Sequence, residues 1–266
     1  MSSVVAGAHR LLLDADELHV LLKAGAVDIF PADFKVAELS PEAELEATER
    51  LLQRGLLRRG ADDESRLELR AVLAGDLQVL GEPQILITTR VQLRERQFFA
   101  AHAMLANAGA SIVRSAGPEV ELSLFPAVEL GRELATVVAP SSEKRSTAEL
   151  DRVDLPYDVF LEAVAGDTST TSSGPRSVGG VSEAERAALA TAADEFDGSV
   201  QVVVSARPPD GSALVQIGQV VWVHTGGWFG LSPYVGDDGS HRVRMVPAQP
   251  ADLGIWVAPF VAGALL

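Results

Sequence analysis

The sequence predicts an α+β protein: a central antiparallel sheet assembled from two quasi-two-fold-related halves, with helices packed mainly on one face. Three observations lead there. Apolar residues recur with period two along a series of segments, as in half-buried strands. The turns joining those segments are too short for a crossover, so neighbouring strands run antiparallel. The order helices, about four strands, helix occurs twice along the chain.

In chain order, Ser40 and Pro41 read as the N-cap and first residue of a helix. Glu42 and Glu44 fall in its first turn, where the helix dipole favours anions. Leu45, Leu52 and Leu56 share one face, and Gly55 marks the end. Gly60 to Arg66 is polar and reads as a loop. Ile85, Ile87, Thr89 and Val91 alternate with Leu86, Thr88 and Arg90 as a strand, and Gln97 to Leu105 forms a second. Asn107-Ala108-Gly109 turns into Ala110 to Arg114, and Gly117-Pro118 turns into Val120, Leu122 and Leu124.

A helix is predicted from Pro156 to Ala165. Gly166 to Gly180 reads GDTSTTSSGPRSVGG, offers little to bury and predicts a mobile surface linker. Ser182 and Glu185 predict a capping box that opens a helix through Leu189, Ala192, Ala193 and Phe196. Val200, Val202 and Val204 form the next strand, followed by the turn Pro208-Pro209-Asp210-Gly211 and a long strand from Leu214 to His224. Gly226-Gly227 turns into Trp228 to Tyr234, and Asp237-Asp238-Gly239 into His241 to Val246. Leu253 to Leu266 is the most apolar segment. At 14 residues, with Pro259 inside it, it falls short of the ~20 needed to span a bilayer and predicts a packed terminal helix.

The strand-to-helix joints of the halves are alike. Leu124-Phe125-Pro126-Ala127 stands 121 residues before Met245-Val246-Pro247-Ala248. The expected organisation is a single domain over 1–266, with a first half at 1–140, a helix and linker at 141–180, and a second half at 181–266.

Charge and residue content exclude several classes of function. The formal net charge is −15, which opposes nucleic-acid binding and docking on an anionic membrane face. With no cysteine, disulfides, thiolate metal sites and thiol nucleophiles are excluded. The start of the chain holds only the apolar run Leu11-Leu12-Leu13, too little for a secretory signal. The histidines at 9, 19, 102, 224 and 241 show no metal-ligand spacing. Gly226-Gly227 lacks the lysine of a phosphate loop, and no G-x-S-x-G elbow occurs. The runs Asp62-Asp63-Glu64 and Asp237-Asp238 read as solvated loop tips. No catalytic residue, metal, cofactor or small-molecule substrate is expected. The competing enzyme reading requires a closed cavity where His102 or His224 meets carboxylates.

The chain resembles the EspG family of cytosolic chaperones of type VII (ESX) secretion. The resemblance spans nearly the whole sequence: Arg54-Gly55-Leu56-Leu57 after a helix, an acidic loop and the strands from Ile85; then Gln219-Val220-Val221-Trp222-Val223-His224-Thr225-Gly226-Gly227; then Arg244-Met245-Val246-Pro247-Ala248 before an apolar helix. Family members often carry Trp-x-Asp-Thr followed by Gly-Arg; here Trp222 and Thr225 are kept, His224 replaces the Asp, and Trp228 stands where Arg is usual. The resemblance implies a cytoplasmic, non-enzymatic, cofactor-free protein that binds the tip of a helical PE–PPE heterodimer through its sheet and C-terminal helical region. It would keep that substrate soluble and deliver it to the secretion machine.

Such a partner would be covered by a sheet face left bare of helices, and a strong negative charge would keep the carrier soluble until it arrives. Strict alternation along Leu214 to His224 turns Val215, Ile217, Val221 and Val223 toward the helices. It leaves Leu214, Gln216, Val220, Trp222 and His224 on the open face, beside Gln201, Val203 and Ser205. The expected partner-binding residues are therefore Gln201, Val203, Gln216, Trp222 and His224. Trp222 suits either an interface anchor or a core filler. A further reading, a secreted substrate of the same pathway, rests on Trp228-Phe229-Gly230 (W-x-G) and Tyr234 to Asp238 (Y-x-x-x-D). Those motifs belong beside helices in such substrates and fall on a strand and its turn here.

Overall fold

The computed structural model describes residues 9–25, 27, 34, 38–60, 67–94, 96–114, 119–139, 153–158, 160, 190 and 195–265. In chain order the elements are β1 (His9–Leu13), α1 (Ala15–Ala24), α2 (Pro41–Gln53), β2 (Leu57–Arg59), β3 (Leu67–Leu69), α3 (Ala71–Gly81), β4 (Ile85–Leu93), β5 (Arg96–Leu105), β6 (Ala108–Arg114), β7 (Val120–Pro126), α4 (Leu130–Val138), β8 (Val153–Pro156), β9 (Phe196–Ala206), β10 (Val215–Thr225), β11 (Trp228–Val235), β12 (His241–Ala248) and α5 (Leu253–Ala264).

Period-two alternation, interrupted by short turns, gives one ten-stranded sheet in the order β1-β7-β6-β5-β4-β9-β10-β11-β12-β8. Every neighbouring pair is antiparallel. β2 and β3 form a separate hairpin. The order reads alike outward from the β4–β9 seam: a four-strand meander on each side, closed by an outer strand from earlier in the chain. Pro126 pairs with Ala108 on one side and Pro247 with Phe229 on the other. Each proline is followed by a 3-10 turn, Ala127–Glu129 or Pro250–Asp252, and then by α4 or α5. The two helices meet at glycines: a Cβ on Gly254 would lie 2.7 Å from the Gly131 Cα.

Helices α4 and α5 cover one face over Ile85, Ile87, Val91, Val200, Val202, Val204 and Trp222. Across β4, β9 and β10 as far as Val221 the described helices keep to that face, while at the β10–β12–β8 end helical Phe160 packs on the reverse face with Val223, Phe229, Val243, Met245 and Leu155. At the β5–β7 end the reverse face is covered as well. There α3 lies on β5 and β6, and α1 and α2 join it in one apolar cluster with Ala101, Ala103, Ala110 and Ile112. Ala101 and Ala103 on β5, with Ala110 on β6, explain this, because small side chains on the reverse face let a helix approach closely. Ser40 caps α2 and Asp14 with Glu17 closes a capping box on α1. Buried Glu17 is held by Arg54 at 2.5 Å, which also donates to the carbonyl of Leu12 in the edge strand.

Several expectations need correction or fall outside the described residues. The outer strands β1 and β8 carry no signal of their own; long-range pairing with β7 and β12 makes them strands. Pro156 therefore ends a strand before Tyr157, Asp158 and Phe160 turn helical; most of the segment through Ala165 lies outside the described residues. Phe196 opens β9 opposite Thr225 instead of ending a helix, because the ladder outweighs its local spacing. The loop from 61 to 66, Gly117-Pro118, the linker 166–180, the box Ser182/Glu185 and Leu189, Ala192 and Ala193 also lie outside the described residues.

Candidate functional site

The inward side of the two seam strands is almost sealed. Ile85, Ile87, Thr89 and Val91, with Val200, Val202 and Val204, are at most 1 % exposed. Their alternates must then face the other way, where the seam has no helical cover among the described residues. Three cross-strand rows result: Leu86–Ser205–Gln216, Thr88–Val203–Gln219 and Arg90–Gln201–Val221. Arg90, Gln201, Gln216 and Gln219 are exposed, and the others are half-buried. The strip contains amides, hydroxyls and aliphatic groups, and none of its nine residues is an Asp or Glu. The Arg90 guanidinium lies 5.2 Å above the Phe99 ring on β5.

Of the residues expected to contact a partner, the structure brings Gln201, Val203 and Gln216 together on this strip. Trp222 and His224 lie on the opposite face. Trp222 is fully buried beneath α5, edge-on to Trp256 at 6.1 Å. His224 is buried against Trp228 at 4.7 Å, with its Nδ1 hydrogen-bonded to the Asp197 carboxylate. The cause is an irregularity between Gln216 and Gly218 that inserts Ile217 unpaired. A bulge reverses the parity of every later residue in the strand. Gln216 thus faces the strip while Val220 and Trp222 face the helices. Val215 and Ile217, expected under helices, are 52 % and 40 % exposed.

Two glycines bring α5 onto the sheet. A Cβ on Gly230 would fall 2.3 Å from the Trp256 ring, and one on Gly218 would fall 2.2 Å from the Phe260 ring. The helix buries Leu253 and Val257 but leaves Ile255, Ala258, Pro259, Ala262 and Leu265 exposed, with no charged side chain between Leu253 and Leu265. Sequence reasoning found this helix but not its uncovered apolar side. The available signal was the lack of any polar face in so apolar a segment.

The histidines do not converge. His102, on β5 under α4, is fully buried and edge-on to Phe125 at 6.3 Å. Burial pushes its pKa down from 6.5 to about 4, and the nearby Glu133 backbone offsets this only in part. A surface cavity of about 420 Å³ is lined by Gly55, Leu57, Arg58, Leu69, Arg70 and Ala71, with neither a histidine nor a carboxylate on its wall. Among the described residues no three His, Asp or Glu side chains are grouped to hold a metal, and no helix is long and apolar enough to cross a membrane.

A family model described as the EspG family matches residues 14–258. No curated protein matches the chain. Among solved structures, the fold is similar to that of the Mycobacterium tuberculosis type VII secretion system chaperone EspG5, determined in complex with a PE25–PPE41 dimer. The TM-score is 0.68 at 16 % identity, covering 93 % of this chain and 95 % of that one.

Proposed function

The chain belongs to the EspG family, and on that premise we propose that it is a cytoplasmic, non-enzymatic chaperone of type VII secretion. It binds the tip of a helical PE–PPE-like substrate, keeps it soluble and hands it to the secretion machinery. The observation that carries this reading is the family match over residues 14–258. The EspG5 chaperone, whose fold this chain shares, was solved with a PE25–PPE41 dimer. The strip over β4, β9 and β10, which no described helix covers, supports it, because a partner needs an accessible, shallow surface. We assign partner contact to Gln201, Val203 and Gln216 on that strip. Trp222 and His224 act from beneath, holding α5 and β9 in place. Residues 1–140 and 181–266 act as two copies of one unit joined by 141–180, a division supported by the mirrored strand order.

The test is co-expression with a PE–PPE-like pair encoded nearby, followed by size-exclusion chromatography. The expected result is co-elution and a larger soluble yield of the pair. A pair equally soluble alone, and never co-eluting with this chain, would contradict the assignment.

A further inference from the structure

We infer that the edge of β10 from Val215 to Val220 receives an extended segment of the partner as an added β-strand, and that this segment is the one joining the helices at the partner's docking tip. This deepens the proposed function and rests on it. β10 is paired with β9 from Val215 to Thr225, and β11 with β12 from Trp228 to Val235. Between β10 and β11, however, only Val221–His224 and Trp228–Leu231 are paired. The counterpart hairpin in the mirrored strand order, β5–β6, stays paired along the whole of β6. Pro233, which has no N–H to donate, is the second residue of β11 past the last pair. Alternate residues of a strand direct both N–H and C=O to the same side. Over 215–220, β10 therefore holds main-chain donors and acceptors that no described strand meets. Groups of this kind are what an extended chain pairs with.

Open sheet edges are ordinarily guarded by charge. This one is not: from Leu214 to Val223 there is no Asp, Glu, Lys or Arg, in a chain of net charge −15. Val215, Ile217 and, across the opening, Val235 are all exposed. The edge is also continuous with the strip, because Gln216 and Gln219 end two of its three cross-strand rows. A helical tip seated on those rows thus lies beside the edge. The segment joining two helices cannot satisfy its backbone groups within either helix, and β10 supplies the missing partners. The two sides of the edge dictate the side chains of the added strand. On the strip side they meet Gln216 and Gln219; on the other they meet α5, where the Phe260 ring lies over Gly218. The segment that fits is uncharged and extended, with polar and apolar residues in alternation and no proline where it donates to β10.

The experiment uses the full chain and the PE–PPE-like pair from the co-expression test. Amide hydrogen exchange of the chain is followed by mass spectrometry, free and with the pair bound. The amides of 215–220 are expected to slow about tenfold or more on binding, relative to those of β6. Calorimetry then compares the native pair with pairs in which two alternate residues of the tip-joining segment are changed to Pro or, separately, to Ala. The Pro pair is expected to bind about tenfold more weakly and the Ala pair to lose much less, because only Pro removes main-chain donors. On the chaperone side Ile217→Lys places a charge on the edge and should also weaken binding about tenfold, with Ile217→Ala costing less. Thermal melts check that the variants fold. If the pair binds and the amides of 215–220 exchange within twofold of their free rate, strand addition is wrong while the chaperone function stands. If the Pro and Ala pairs lose affinity equally, side chains hold the segment and the inference is overturned. If wild type does not bind the pair at all, the proposed function fails and this inference with it.

Discussion

Acidifying the protein through the range where a free imidazole titrates should destabilise it through His102. The side chain is fully buried between the sheet and α4, and burial lowers its pKa from 6.5 to about 4. In the unfolded chain it takes up a proton below about 6.5, whereas in the folded protein it stays neutral until about 4. The unfolded state therefore binds more protons in this window, so stability falls as pH drops from 6.5 toward 4 and levels off below. Above 6.5 the residue contributes no slope. At about 1.4 kcal/mol per pH unit, the whole interval is worth roughly 3 kcal/mol, of which roughly 2.5 is reached by pH 4.5. The assay is urea unfolding of wild type and His102→Leu at pH 7.5, 6.0, 5.0 and 4.5. Carboxylates titrate in both proteins and cancel in the difference. The gap between the two should move by roughly 2–3 kcal/mol in favour of His102→Leu between the highest and lowest pH. Parallel stability curves would refute the argument that burial holds this imidazole neutral.

Other consequences concern the packing that presents the strip. Gly230→Ala places a methyl 2.3 Å from the Trp256 ring; the resulting overpacking should cost about 1–3 kcal/mol. All three tryptophans of the chain, at 222, 228 and 256, are in this cluster, so the displacement should appear as a red shift in fluorescence. Ser111→Ala removes the buried 2.7 Å hydrogen bond with Ser123 and leaves that hydroxyl unpaired. It should cost about 1–3 kcal/mol, and the double variant with Ser123→Ala should cost less than the two single losses added together, as read from denaturant midpoints. Trp222→Ala empties a fully buried site and should cost about 3–5 kcal/mol by the same measurement.

Much of the sheet was legible because its signals are local. Ile85, Ile87, Thr89 and Val91 declare a strand by alternation alone, and the Gly226-Gly227 turn makes β10 and β11 antiparallel neighbours. β1 and β8 were not legible, since each is a strand only because a distant partner accepts it. Within the candidate site, Gln201, Val203 and Gln216 were placed on the open face and lie there. Trp222 and His224 were placed with them and lie behind the sheet, because alternation counts residues and cannot see that Ile217 is left unpaired.

The sequence by itself determined that two strand-rich halves exist, that their strands run antiparallel, and that each half ends in Pro followed by a helix. Side-chain period, turn length and proline chemistry decide these features, and they act over a few residues. The EspG family resemblance was also carried by the linear chain. Tertiary structure alone decided which face of each strand meets a helix, that α1 to α3 cover the reverse face beyond β4, and that Arg90 stands beside Gln201. Those are outcomes of register and packing between segments distant in the chain, more than a hundred residues apart in the case of Arg90 and Gln201. One inserted residue in a ladder is enough to exchange a buried side chain for an exposed one.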